Sequence, residues 1–160
     1  VGVSVEAELG AVGGDEGGAL YGHADEAFFT DPALAQDFVG RTGIDALAVA
    51  IGNAHGKYKG EPKLDFARLD IIRQQTGLPL VLHGGSGISD ADFRRAISLG
   101  IHKINFYTGM SQAALTTIEA RMADRQPLYD EFAQLLLSIE EAISDTVAQQ
   151  MRVFGSAGHC

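Results

Sequence analysis

Apolar and polar positions alternate along this chain in a recurring order. Val3-Ser4-Val5-Glu6-Ala7-Glu8-Leu9 switches between apolar and polar or small at every step. That is the period of a strand, with Ser4, Glu6 and Glu8 on one face. Two carboxylates on a face covered by other elements are costly unless they meet water, a cation or hydrogen-bond donors. Residues 44–51 and 78–82 are instead nearly continuous aliphatic runs, the mark of parallel strands buried on both faces. Residues 101–107 alternate again, with Ile101, Lys103, Asn105 and Tyr107 on one face and His102, Ile104 and Phe106 on the other.

Helices are expected between these runs. Asp31 caps the first, with Pro32 in its opening turn, a stripe of Leu34, Phe38 and Val39, and Gly43 at its end. Asp65 starts the second, with Phe66, Leu69 and Ile72 inside and Gly77 after it. Ser89 or Asp90 caps the third, which buries Phe93, Ala96 and Ile97 and ends at Gly100. Thr108-Gly109 opens the fourth, carrying Ala114, Leu115, Ile118 and Met122, and Pro127 breaks it. A long last helix aligns Phe132, Leu135, Leu136, Ile139, Ile143 and Val147. Strand and helix thus repeat four times, which predicts a parallel α/β architecture. Four βα units make half of a (β/α)8 barrel, or an open doubly wound sheet. The half barrel is preferred, because the polar chemistry falls in successive loops after strand ends and the first strand carries inward acids. The expectation is one domain over residues 1–160.

The loops carry the candidate chemistry. Leu80-Val81-Leu82-His83 runs straight into Gly84-Gly85-Ser86-Gly87. A strand there delivers an imidazole to the sheet edge, and small residues then present N–H groups to an anion. The strand ending at Ile51 leads likewise to Gly52-Asn53-Ala54-His55-Gly56-Lys57-Tyr58-Lys59. Adjacent parallel strands lie about 4.8 Å apart, close enough for His55 and His83 to share one metal. Neutral imidazoles favour zinc. Ser86, Thr108 and the helix after Gly109 extend the phosphate-binding reading. Six glycines lie between Gly10 and Gly22, and a loop of that length and composition suggests a lid over residues 10–30. It holds Asp15 and Glu16; His23, Asp25 and Glu26 read as a solvated acidic segment. His102 and Lys103 read as paired structural groups.

Composition narrows the partners. The formal net charge of −9 argues against nucleic acid and against an anionic membrane. The single cysteine, Cys160, allows no internal disulfide, no apolar run reaches membrane-spanning length, and the N-terminus has no signal-peptide pattern. A cytoplasmic location is expected. The opening Val1-Gly2, without methionine and directly before a strand, reads as a processed end or as the cut end of something longer.

Taken together, Glu6-Ala7-Glu8-Leu9-Gly10 with Gly13-Gly14-Asp15-Glu16, Ala50-Ile51-Gly52-Asn53-Ala54-His55-Gly56, Leu82-His83-Gly84-Gly85-Ser86-Gly87, and Lys103-Ile104-Asn105 with Thr108 resemble the class II, metal-dependent ketose-bisphosphate aldolases. The resemblance covers nearly the whole chain. It implies a TIM barrel of which this chain supplies the last four βα units and a C-terminal helix. It implies His55 and His83 as two of three zinc ligands, and Glu16 as the acid that assists proton transfer. Gly56, Lys59, Gly84, Ser86, Asn105 and Thr108 would line the site for the phosphate and hydroxyketone of dihydroxyacetone phosphate, beside a monovalent cation such as Na+ or K+. The implied reaction is reversible cleavage of a ketose 1,6-bisphosphate, fructose or tagatose, to dihydroxyacetone phosphate and glyceraldehyde 3-phosphate.

The family's third zinc histidine and its proton-moving aspartate belong to an Asp-His pair. No such pair occurs in this chain, and Arg152 does not align with the arginine that binds the second phosphate in some relatives. The expected partners are therefore a missing N-terminal barrel half and, from the apolar last helix, a second copy in a homodimer or larger assembly. The competing reading is a non-catalytic phosphate-binding or partner subunit of the same fold.

Overall fold

The computed structural model describes residues 2–14, 26–56, 58, 60–123 and 131–159. They fall into two compact units, Val1–Phe106 and Tyr107–Cys160. The first contains β1 (Glu6–Leu9), β2 (Gly13–Gly14), a 3-10 turn (Glu26–Phe28), α1 (Pro32–Thr42), β3 (Ala46–Val49), β4 (Ala54–His55), α2 (Phe66–Thr76), β5 (Leu80–Leu82), α3 (Asp90–Ser98) and β6 (Ile101–Ile104). The second contains α4 (Thr108–Ala123) and α5 (Glu131–Phe154), which pack on each other.

The first unit is built on a parallel four-stranded sheet in the order β1-β3-β5-β6. Leu47, Val49, Leu80, Val81 and Leu82 are fully buried within it, as their aliphatic runs require. Leu69 and Ile72 of α2 and Phe93 and Ala96 of α3 are also buried. The helix boundaries follow local chemistry. Asp31 accepts hydrogen bonds from the Ala33 and Leu34 N–H groups, Asp65 from Arg68 N–H, and Ser89 from Asp92 N–H. Gly43 and Gly77 end α1 and α2 in the left-handed region.

Three departures from the sequence pattern have physical reasons. In α1 the fully buried residue is Ala35, whereas Leu34 is 62% exposed; Phe38 and Val39 are half-buried, so Ala35 takes the place of Leu34 in the expected stripe. β6 stops at Ile104 and does not continue to Tyr107. Its register jumps from Leu80↔Ile101 to Val81↔Lys103, a bulge at His102 that breaks the expected alternation. Gly13-Gly14, expected inside a loop, pairs in parallel with Ala54-His55 as a second, two-stranded sheet. The rest of the expected lid over 10–30 is described only at its ends, where Ala11 N–H donates to the Phe28 carbonyl, and residues 15–25 lie outside the described residues. Pro127 also lies outside them.

Thr30 joins the segment before α1 to the sheet. It is buried, its hydroxyl donates to the Leu9 carbonyl at 2.6 Å, and it accepts from Ala50 N–H at 2.8 Å. One side chain thus satisfies backbone groups at the ends of two neighbouring strands. In the second unit, Phe132, Leu136, Leu137 and Met151 of α5 are exposed, as are Leu115 and Met122 of α4. Among the described residues, no helix is long and apolar enough to cross a membrane.

Candidate metal and phosphate site

The site gathers at the C-terminal edge of the first unit's sheet. β5 ends at Leu82, and His83 follows at once, with its side chain 16% exposed. β3 ends at Val49, and the chain crosses Ile51, Gly52 and Asn53 before β4 presents His55. The two imidazole rings lie 6.0 Å apart, centre to centre, and are tilted by 53°. The sequence-predicted pair is therefore brought together, although His55 reaches the site through a short extra strand and not from the end of β3 itself.

The acids of β1 meet the partners that their cost demanded. Both lie on the face that the alternation assigned to them. Glu8 Oε2 is 2.7 Å from His83 Nδ1, and Glu6 Oε1 is 3.2 Å from His83 Nε2. Glu6 Oε2 also accepts a hydrogen bond from Lys103 Nζ at 2.7 Å. The Lys103 ammonium, with a smaller contribution from His83, holds the Glu6 carboxyl below its ordinary value of 4.5, against the opposing effect of burial. Lys103 is thus a paired group, as its place inside the strand implied. His102, beside it, lies with Nδ1 2.8 Å from the Gly100 carbonyl oxygen.

The glycine loop is shaped by its neighbours. Gly84 has φ +65°, and a Cβ there would collide with the Ala54 carbonyl and crowd the His55 N–H. Only glycine lets β4 lie across the loop at this point. Gly85 N–H donates to the Asn105 carbonyl at 3.2 Å, and Asn105 N–H donates to the Leu82 carbonyl at 2.9 Å. Asn105 is therefore held beside the His83 loop by its backbone, with its side chain exposed. Ser86 sits in the turn between Gly85 and Gly87. Gly56, with φ +78°, follows His55 and has open space where a Cβ would project. Thr108 begins α4 in the second unit. Glu16 and Lys59 lie outside the described residues.

Gly84→Ala is expected to destabilise the fold by about 2–5 kcal/mol, combining left-handed strain with the collision at Ala54. Gly56→Ala meets only the strain, about 1–2 kcal/mol. Urea denaturation of the two variants measures the difference, and equal losses would remove the packing role assigned to Gly84.

Two residues here escaped the sequence reading. Asn53 is fully buried; its Oδ1 accepts from Ile51 N–H at 2.8 Å and its Nδ2 donates to the His83 carbonyl at 3.0 Å. Tyr58 accepts from Ala54 N–H at 2.9 Å and donates to the Gly84 carbonyl at 3.0 Å. A buried asparagine or a tyrosine beside glycines carries no local signal of such distant partners.

The donor chemistry suits a borderline metal such as zinc, with two imidazoles in reach of one ion and carboxylates behind one of them. Both His83 ring nitrogens face carboxylates, so binding through this ring exchanges one of those contacts. Among the described residues, no group of three or more histidine, cysteine, aspartate and glutamate side chains is arranged to hold a metal ion. The two histidines fit as part of a ligand set that needs a further donor.

A parallel α/β sheet that brings paired histidines and a glycine loop to its C-terminal edge defines an α/β protein with its polar groups where such folds build their sites. The particular family is decided by comparison. The family model for class-II fructose-bisphosphate aldolase matches residues 1–159, and the chain belongs to that family. It is 47% identical over 156 residues to the Bacillus subtilis (strain 168) protein named "Probable fructose-bisphosphate aldolase", covering 98% of this chain and 53% of that one. It is 46% identical over 157 residues to the fructose-bisphosphate aldolase of Geobacillus stearothermophilus, again over 98% and 53%. The crystal structure of the YdjI aldolase of Escherichia coli K12 superposes with a TM-score of 0.79 at 43% identity, over 98% of this chain and 51% of that one. The chain spans about half the length of the curated relatives it matches.

Proposed function

We propose that this chain carries the metal- and phosphate-binding half of a class II aldolase, which cleaves a ketose 1,6-bisphosphate, fructose or tagatose, to dihydroxyacetone phosphate and glyceraldehyde 3-phosphate. The observation that carries this reading is the His55–His83 pair, 6.0 Å apart, beside the Gly84–Gly87 loop. His55 and His83 are the residues that would hold zinc, and the metal, when bound, would supply Lewis-acid polarisation of the substrate ketone. Gly56, Lys59, Gly84, Ser86, Asn105 and Thr108 bind and orient the phosphate and hydroxyketone end, fixing the substrate for proximity. Backbone carbonyls of these loops also suit a monovalent cation, Na+ or K+. Glu16 gives and takes a proton at the aldehyde-derived oxygen when its loop closes and excludes water.

In this reading the chain is one domain, the last four βα units of a (β/α)8 barrel. The remaining units, in the same polypeptide or another, bring the third histidine and the aspartate base. The 53% coverage of the relatives and the sheet edges at β1 and β6, unpaired among the described residues, support it. The exposed apolar residues of α5 support a homodimer or larger assembly, and a cytoplasmic location is part of the same reading.

The test supplies the chain with the remaining four βα units and assays cleavage of both bisphosphates. Triose phosphates should appear, disappear when a chelator is added, and return with zinc. Failure to cleave either sugar with zinc present overturns the assignment.

A further inference from the structure

We propose that Tyr58 is a positioning residue, whose hydroxyl holds the His55 strand against the His83 loop and so sets the separation of the two imidazoles. The reach from β3 to His55 is long, and β4 is only two residues. Its own ladder, to Gly13-Gly14, ties it to the segment after β1 and not to β5. Something else must fix it against the loop that follows β5. Two side chains of the same connection do so. Asn53 bonds the His83 carbonyl from one end. Tyr58 closes the other end: the Ala54 N–H donates to its oxygen, and that oxygen donates to the Gly84 carbonyl.

The bridge is one atom wide. A single phenol oxygen joins the residue before His55 to the residue after His83. The ring is braced as well: a Cβ on Gly87, at φ +111°, would stand 3.0 Å from Tyr58 Cδ2. Glycine at the loop's far end therefore lets the ring lie against the backbone. Burial pushes the phenol's pKa above its ordinary value of 10.0, so the hydroxyl stays protonated and able to donate throughout the neutral range. Phenylalanine would keep the ring and its packing against Gly87. It would leave the Ala54 N–H and the Gly84 carbonyl without this partner. The role concerns the placement of the two histidines, and it rests on the aldolase reading only where the metal is concerned.

The test compares wild type with Tyr58→Phe in the full 160-residue chain. Amide hydrogen exchange at Ala54 should accelerate about tenfold or more, while Val49 and Val81 in the sheet core keep their protection. The imidazole Cε1–H resonances of His55 and His83 should shift, and that of His102 should stay. Titration with Co2+ as the probe, with the remaining four βα units supplied, should show the dissociation constant of Tyr58→Phe raised about tenfold or more, the size seen when a group that orients a ligand is lost. Ala54 exchange unchanged with unmoved His55 and His83 signals overturns the proposal. So does equal acceleration at Ala54, Val49 and Val81, which would make Tyr58 a general stability residue. A wild-type chain that, with those units supplied, binds no Co2+ while the exchange and imidazole effects hold would count against the metal reading alone and leave the bridge supported.

Discussion

The double variant His55→Ala, His83→Ala is expected to purify with zinc at background, its affinity lowered by more than about a hundredfold. Loss of an outer partner that merely orients a ligand costs about 10–100-fold in metal affinity, and here two ligands are removed. What remains is poor in donors. Among the described residues at the site, Glu6 is engaged with Lys103, and Glu8 offers a hard oxygen ligand, where zinc prefers nitrogen and sulfur as well. Neither histidine is part of the aliphatic core, so the variant should keep its fold and its circular dichroism. Elemental analysis of wild type and double variant, each purified with the remaining four βα units, makes the comparison. Unchanged zinc in the double variant would place the metal elsewhere and end the assignment of both residues.

The 160-residue chain expressed alone should turn over fructose and tagatose bisphosphates at least about 10²–10⁴-fold more slowly than a complete class II aldolase, the range that a positioned proton-transfer group contributes. No residue of the chain matches the family's proton-moving aspartate, and zinc would lack its third histidine. The geometry adds a second reason. Among the described residues, β1 and β6 each have one side without a strand partner, so the sheet presents open edges. Glu6 is satisfied by Lys103 and His83, and Glu8 by His83, but Val3 and Val5 are exposed beside β1. Such edges and patches drive association, so size-exclusion chromatography of the isolated chain should show dimers or larger species. Adding the remaining four βα units as a separate polypeptide should restore turnover. Activity of the isolated chain equal to that of a complete enzyme would show that the base lies within these residues.

Much of this molecule was legible in one dimension. The order of strands and helices, the caps Asp31, Asp65 and Ser89, and the stops Gly43 and Gly77 follow from groups within a few residues of one another, where propensity and hydrogen bonding act directly. The aliphatic runs that became β3 and β5 announced their burial. Two histidines near strand ends announced a shared edge, because parallel strands send their C-terminal ends the same way. Only the tertiary structure decided what stands between those ends. The contacts of Glu6 with His83 and Lys103 span 77 and 97 residues, and no local pattern selects one partner over another at that distance. The two-residue pairing of Gly13-Gly14 with Ala54-His55 is too short for periodicity to reveal. The bulge at His102, which spoiled the predicted alternation of β6, arises from the register against β5 and not from β6 alone. Asn53 and Tyr58 drew no notice in the sequence, because a hydrogen bond to a distant backbone carbonyl depends on how two loops approach, and that approach is set by the packed sheet beneath them.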